Sequence, residues 1–267
     1  MSAHSEARGT LYLVPTPLDF GVTQAAPAAP SEWLPAETLD TARRLTHWIT
    51  ENAKSTRAFL KRVDALATLA APVQAHQIVE LPRAAHKKGD HAPQAGSDAQ
   101  ARELLAPALL GHDMGLVSEA GMPAIADPGS SIVRAAHAIG LRVVPLTGPI
   151  SLMLALAASG LNGQSFAFVG YVPQEATERT KRLRELEAQA LKTGQTQILI
   201  ETPYRNAALL QALLQALHPH TRLAVCAALT LPRQVCRSAL VQEWKRSPKA
   251  VAEDLPLDAP CVFLLGR

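Results

Sequence analysis

Three segments of the chain combine glycine, proline and small polar residues in a way that suits ligand binding. They are residues 117–129 (VSEAGMPAIADPG), 146–151 (LTGPIS) and 200–205 (IETPYR). Each follows an apolar run that predicts a strand and precedes a predicted helix. Such a turn exposes backbone N–H groups at the carboxyl end of a strand, which is the edge where open α/β sheets bind ligands. In the first segment Gly121 would let a ligand approach the backbone closely.

Each segment also has a purely structural interpretation. Asp127 and Pro128 suit the N-cap and the first position of the next helix, so the first segment could be a well-capped turn. Thr202 and Pro203 would start a helix in the same way, although this leaves Arg205 unexplained. The residues alone weigh the structural and the binding interpretation of residues 117–129 about equally.

Motifs of several other chemistries are absent from the sequence. It contains no G-x-x-x-x-G-K-[ST], no G-x-G-x-x-G after the first strand, no H-E-x-x-H and no G-x-S-x-G. The nine histidines lack ligand spacing, so no metal site is expected. The three cysteines, Cys226, Cys236 and Cys261, form no C-x-x-C pair, and their odd number indicates a reducing compartment rather than a disulfide framework.

The elements that must position these segments alternate between strands and helices. Strands are predicted at 10–14, 46–50, 76–81, 115–118, 141–146, 165–170, 195–200, 223–227 and 261–265. Helices are predicted at 36–44, 56–70, 99–110, 128–139, 150–159, 175–192 and 206–217. Short turns between them indicate βαβ units. We therefore predict an α/β fold with two α/β domains, residues 1–160 and 161–267, and mixed, largely parallel sheets.

Composition bounds the function further. The chain has 267 residues, of which 48% are hydrophobic and 18% charged, which fits one large domain or two modest ones with packed cores. A net charge of +3 permits an anionic partner but excludes a polybasic nucleic-acid binder. The polar amino terminus and the lack of a long apolar run predict no signal peptide, no membrane partner and a cytoplasmic location.

Taken in order, the three segments resemble the tetrapyrrole methylase superfamily of S-adenosylmethionine-dependent methyltransferases. The branch they resemble most methylates a ribose hydroxyl in ribosomal RNA of the small subunit. Further segments carry the same resemblance: residues 9–17 (GTLYLVPTP), 51–57 (ENAKSTR), 148–160 (GPISLMLALAASG), 166–173 (FAFVGYVP) and 259–266. The resemblance implies S-adenosylmethionine in a cleft between two α/β domains, and a homodimer.

The resemblance also assigns residues to the site. The positions that match cofactor contacts are Glu119, Gly121, Met122, Ile125, Ala126, Ile150, Ser151, Glu201, Thr202, Ala228 and Pro260. A ribose hydroxyl is a poor nucleophile at neutral pH and benefits from a base or a nearby cation. The candidates for these catalytic roles are Glu51, Lys54, Arg57 and Arg205. The structural alternative is a solvated helix start at residues 51–57 and an ion pair between Glu201 and Arg205.

Two departures from the ribosomal RNA branch leave the acceptor open. Asn52 and Lys54 stand where that branch has an acidic residue and an arginine, and residues 17–20 read PLDF where it has PIGN. Three hypotheses follow: a ribose methyltransferase with RNA as partner, a methyltransferase of a tetrapyrrole-like or other small molecule, and a catalytically silent cofactor-binding paralogue. The polar stretch 83–98, a predicted long loop, favours a polar acceptor over a bulky apolar one.

Overall fold

The computed structural model describes residues 8–19, 29–82, 97–246 and 254–267. Contacts divide the chain into two compact units, Met1–Pro149 and Ile150–Arg267. We expected the boundary near residue 160. The helix at residues 151–159 instead packs with the second unit, because its apolar side chains lie on the sheet of that unit. The predicted loop 83–98 falls almost wholly outside the described residues.

The first unit is built on a five-stranded sheet. Its strands are β1 (Thr10–Leu13), β2 (His47–Thr50), β3 (Gln77–Glu80), β4 (Met114–Val117) and β5 (Arg142–Pro145). The order is β3-β2-β4-β1-β5 and every pair is parallel. The carboxyl ends of all five strands therefore meet at one edge, which collects the loops that follow β1, β2, β4 and β5.

Helices cover both faces of this sheet. They are α1 (Ala36–Arg44), α2 (Ala53–Asp64), α3 (Ser97–Leu104), α4 (Ala106–Leu109) and α5 (Ser130–Ala138). Alternate strand residues point to opposite faces, so Ile49 and Leu116 pack in the cluster with α3 to α5 while Trp48 and Val117 pack with α1 and α2. Burial of each large apolar side chain contributes about 1.5–3 kcal/mol, which holds the edge loops on a rigid base.

The second unit has a mixed sheet. Its elements are α6 (Ser151–Ser159), β6 (Phe166–Gly170), α7 (Ala176–Thr193), β7 (Thr196–Glu201), α8 (Asn206–Ala216), β8 (Arg222–Ala227), β9 (Val235–Leu240), α9 (Val241–Arg246) and β10 (Cys261–Gly266). The strand order is β6-β7-β10-β8-β9. Only β6 and β7 are parallel, and β10 is antiparallel to both of its neighbours. The predicted α/β fold with mixed, largely parallel sheets is confirmed: the first sheet is parallel throughout, and the second is mixed, with one parallel and three antiparallel pairs.

Two local predictions were wrong. We assigned no element to residues 235–246, which form β9 and α9, since VCRSALVQEWKR mixes charged and apolar residues without a clear period. Helix α5 begins at Ser130 with Gly129 at its N-cap, so Asp127 does not cap it and Pro128 is not its first residue. Among the described residues, no helix combines the length and the apolar character that a membrane crossing requires.

Candidate functional site

Gly121 joins two loops at the carboxyl edge of the parallel sheet. Its N–H donates to the Thr16 carbonyl and its carbonyl accepts from the Thr16 N–H, both at 3.0 Å. The φ of Gly121 is +78°, and a Cβ atom there would lie 3.0 Å from Leu18 Cδ2. The positive φ and the short approach to Leu18 favour glycine at this position. The backbone N–H and carbonyl of Gly121 are both used in the contact between the loops that follow β1 and β4.

The loop beyond Gly121 holds an unusual backbone. Ala124 and Ala126 both have φ of +64°. A left-handed conformation costs a residue with a side chain about 1–2 kcal/mol, and such strain concentrates at functional sites. Between the two alanines, the side chain of Ile125 is 41% exposed. The predicted contacts Ile125 and Ala126 thus lie on an accessible surface, while Met122 is half-buried.

Three carboxylates meet beside this loop. Glu51 Oε2 accepts from the Glu119 backbone N–H at 3.4 Å, which connects the ends of β2 and β4. Burial raises the pKa of Asp127 to about 7, and the negative charges of Glu51 and Glu119 add to the increase, whereas the Ser118 side chain opposes it. Asp127 can therefore gain or lose a proton near neutral pH. We missed this role, because the sequence suggested only a helix cap.

Asn52 connects the predicted catalytic segment to the cofactor segment. Its Oδ1 accepts from the Lys54 N–H at 2.9 Å and caps α2, while its Nδ2 donates to Glu119 Oε1 at 2.7 Å. Lys54 and Arg57 lie in the first turns of α2 with exposed side chains. The helix starts three residues earlier than predicted, and Asn52, which we noted only as a departure from the family pattern, positions Glu119.

In the second unit, Glu201 organises the segment that follows β7. Its Oε1 accepts from the Thr202 N–H at 2.7 Å and from Arg205 Nη2 at 2.7 Å. The Glu201 side chain is only 6% exposed, so the pair is protected from water more than a surface ion pair is. The structural alternative for Arg205 is therefore present. Thr202 stands at the N-cap of a short 3-10 helix, Pro203–Arg205, as predicted, although its hydroxyl donates to Glu201 and not to the helix backbone.

The remaining predicted contacts also lie in the second unit. Ile150 and Ser151 begin α6. Ala228 directly follows β8 with φ of +52°, and its N–H donates to the Pro260 carbonyl at 2.9 Å. The structure thus brings Ala228 and Pro260 together, and it gives Ala228 the same left-handed backbone as Ala124 and Ala126.

No resident ion is indicated by the geometry of the described chain. Within residues 8–19, 29–82, 97–246 and 254–267, no three His, Cys, Asp or Glu side chains are grouped as metal ligands would be. At the edge of the first sheet, Glu51 accepts from the Glu119 backbone N–H, Glu119 accepts from the Asn52 amide and Asp127 interacts with the Ser118 side chain.

Several curated proteins from different bacteria that are similar to this chain have the same name. Over 131 residues it is 37% identical to ribosomal RNA small subunit methyltransferase I of Vibrio cholerae, covering 49% of this chain and 44% of that protein. Over 223 residues it is 29% identical to the protein of the same name from Halalkalibacterium halodurans, covering 84% and 65%. The chain therefore spans less than two thirds of the length of these two relatives.

Solved structures and a family model agree on the fold. Uroporphyrin-III-C-methyltransferase from Thermus thermophilus superimposes with a TM-score of 0.54 at 21% identity, covering 97% of this chain and 94% of that one. The methyltransferase CobJ gives 0.52 at 16% identity with the same coverage. The family model of the Tetrapyrrole (Corrin/Porphyrin) Methylases matches residues 46–244. This range includes the acidic group, which consists of Glu51, Glu119 and Asp127, and the segment at Glu201. The chain belongs to the family of Tetrapyrrole (Corrin/Porphyrin) Methylases.

Proposed function

We propose that the protein transfers a methyl group from S-adenosylmethionine to a ribose hydroxyl of ribosomal RNA. The observation that carries this proposal is the loop at residues 119–127, which presents strained backbone and an exposed isoleucine beside a carboxylate that titrates near pH 7. The names of the relatives support the choice of ribosomal RNA as acceptor.

The proposed cofactor contacts suit an uncharged adenosine and a zwitterionic tail. They offer mainly backbone and apolar groups: Gly121, Met122, Ile125, Ala126, Ile150, Ser151, Ala228 and Pro260, with Glu119, Glu201 and Thr202 as the polar members. S-Adenosylmethionine supplies an already activated methyl group. The protein's task is then to hold the acceptor oxygen in line with that methyl group. This lowers the activation free energy by several kcal/mol, because the translational and rotational entropy of the reactants is lost on binding and not in the transition state.

The acceptor hydroxyl must lose a proton during the transfer. We propose Asp127 as the group that receives it, because a base is most effective when its pKa lies near the working pH. Glu51 acts on Asp127 through its charge, which keeps the proton affinity of Asp127 high. Lys54, Arg57 and Arg205 are proposed as cations for the RNA phosphates or the developing alkoxide, and Glu201 fixes the direction of Arg205.

We also propose a cytoplasmic homodimer. Two aromatic side chains on β6, Phe166 and Phe168, are 40% and 38% exposed and lie two residues apart, hence on one face of the strand. Strand β6 is an edge of its sheet. A second copy of the chain is the proposed occupant of this face, since apolar side chains grouped on an edge strand mark protein contacts.

Two measurements test the proposed function in order. Calorimetry with the demethylated cofactor, S-adenosylhomocysteine, in the presence of a chelator should show binding without metal. Methyl-labelled cofactor incubated with the protein and small ribosomal subunits should then place label in the RNA, at a ribose. Label that enters only small molecules would identify a small-molecule methyltransferase, and binding without any transfer would identify a silent paralogue.

A further inference from the structure

Two of the three cysteines face each other across neighbouring strands of the second unit. Cys226 lies in β8 and Cys236 in β9, and the antiparallel register places them directly opposite. All three cysteines are free thiols. Residues that are opposite in a sheet point to the same face, so the two sulfur atoms share one side of the β8–β9 hairpin.

The hydrogen-bond pattern shows which kind of pair they form. The Val241 N–H donates to the Thr221 carbonyl at 2.9 Å, and these residues continue the β8–β9 register by one step. Bonded and non-bonded pairs alternate along an antiparallel ladder. The odd-numbered residues of β8 therefore form backbone hydrogen bonds with β9. Cys226 is even-numbered, so Cys226 and Cys236 form a non-hydrogen-bonded pair of the ladder.

The other side of β8 gives the same assignment. The Ala228 N–H donates to the Pro260 carbonyl, in continuation of the β8–β10 register. Even-numbered residues of β8 thus bond to β10. A non-bonded pair brings opposite Cα atoms to about 4.5 Å, with side chains closer than in a bonded pair. This spacing lies inside the range of about 4.4–6.8 Å that disulfides span.

One of the two thiols is accessible to a compound in solution and the other is not, which suits an oxidation in two steps. Cys236 is exposed, whereas Cys226 is buried against α6, with its Sγ 3.7 Å from the Ala155 carbonyl. Burial raises the pKa of Cys226, and the neighbouring Cys236 thiol adds to the increase. Cys261 belongs to the core on the opposite face of the sheet, so it is not a partner for either.

We infer that Cys226 and Cys236 are a dithiol that a small disulfide compound oxidises to an intramolecular disulfide. The Cys236 thiolate attacks one sulfur of the compound, which forms a mixed disulfide and releases one thiol. Cys226 then loses its proton and attacks the Cys236 sulfur, which forms the Cys226–Cys236 bond and releases the second thiol. The chain loses two electrons and two protons, and the compound gains both.

Oxidised glutathione is a suitable probe for the full-length, reduced protein. Trypsin separates the cysteines, because it leaves Cys226 in peptide 223–233, Cys236 in 234–237 and Cys261 in 250–267. After oxidation and alkylation, the expected product is a linked pair of the first two peptides with Cys261 alkylated. The oxidised protein should also melt at a higher temperature than the reduced protein, because the link restricts the unfolded chain.

The variant Cys236→Ser is the matched control, since the exposed side chain can change without disturbing the core. It should give no linked peptides and no rise in melting temperature on oxidation. Three results would overturn the inference: a stable glutathione adduct on Cys236 without the link, a link that contains Cys261, or a link between two chains.

Discussion

Burial and two neighbouring carboxylates set the chemistry of Asp127. Its neighbours Glu51 and Glu119 stand 76 and 8 positions away in the sequence and reach it because β2 and β4 are adjacent. The sequence can predict that each of these residues follows a strand. It cannot predict that burial and the charges of Glu51 and Glu119 raise the pKa of Asp127, since that depends on strand order and packing. The hydrogen bond from Asn52 to Glu119 could not be predicted for the same reason, because it too depends on strand order.

The variant Asp127→Asn should lose methyl transfer by about a hundredfold or more, the usual contribution of a positioned base. Its affinity for S-adenosylhomocysteine should remain close to that of the parent protein. In the parent, turnover should rise with pH through about 7 as Asp127 loses its proton. Single-turnover rates across pH 5.5–9 measure this, with Asp254→Asn, a change at an exposed carboxylate, as control. An unchanged profile in Asp127→Asn would remove Asp127 from the mechanism.

Asp127 should also make the free energy of unfolding depend on pH. Its folded pKa lies above the ordinary value of 3.8, so the folded state holds the proton more firmly than the unfolded state. The resulting stabilisation is complete below about pH 4 and is lost as the pH rises through about 7. Asparagine resembles the protonated form, so Asp127→Asn should be more stable than the parent at pH 8 by about 1 kcal/mol after solvent screening. Urea unfolding at pH 5 and pH 8 compares the two proteins, and an equal difference at both would contradict the raised pKa.

At the scale of elements, strand-to-helix turns were predictable because their glycines and prolines are local signals. The start of α5, the hairpin of β8 and β9 and the antiparallel insertion of β10 were not. The position of β10 depends on β7, a partner distant in sequence. The strand Val235–Leu240 was missed because it carries Arg237 and Ser238 in place of a clean alternation. Resemblance to a family predicted the cofactor segments, and the backbone of Gly121, one of the predicted residues, forms a contact between two loops.

Two substitutions in the loop that follows β4 should change the free energy of unfolding in opposite directions. Gly121→Ala should destabilise the protein by about 1–2 kcal/mol or more, because its φ is +78° and the new methyl group would crowd Leu18. Ala126→Gly should stabilise it by up to about 1 kcal/mol, because glycine adopts a φ of +64° without steric cost and Ala126 is exposed. Chemical denaturation of both variants measures these changes. If both lower the stability, the left-handed backbone of this loop is not as described.

The opposite end of the same sheet carries a second pH-dependent group. His47, the first residue of β2, stacks on His112 with ring centroids 4.5 Å apart. Burial lowers the pKa of His47, and His112 and His76 lower it further. Because the folded pKa is below the unfolded value, stability should fall as the pH drops below about 6.5. His47→Gln should flatten this loss in urea unfolding between pH 7.5 and pH 5, and a dependence that persists unchanged would assign it to another group.

At the scale of the whole molecule, the predicted site residues are distributed over two units, each with its own sheet and core. The acidic group and the strained loop belong to the first, whereas the Glu201 segment and the Ala228–Pro260 contact belong to the second. Each set is held by hydrogen bonds within its own unit. The predicted boundary at residue 160 placed Ile150 and Ser151 in the first domain, whereas the structure places both in the second unit, because the helix that they begin packs on the sheet of that unit.

Assembly of two such chains gives the prediction at this scale. If the aromatic face of β6 joins two copies, Phe168→Glu should convert the homodimer to a monomer, because a carboxylate buried between two apolar surfaces has no partner. Leu110→Glu is the matched control: Leu110 is 73% exposed in the first unit, so this change should leave the mass in solution unaltered. Sedimentation measures the masses of the parent and both variants, with circular dichroism to verify folding. A parent protein that sediments as a monomer would contradict the homodimer, and a dimer that survives Phe168→Glu would move the interface away from β6.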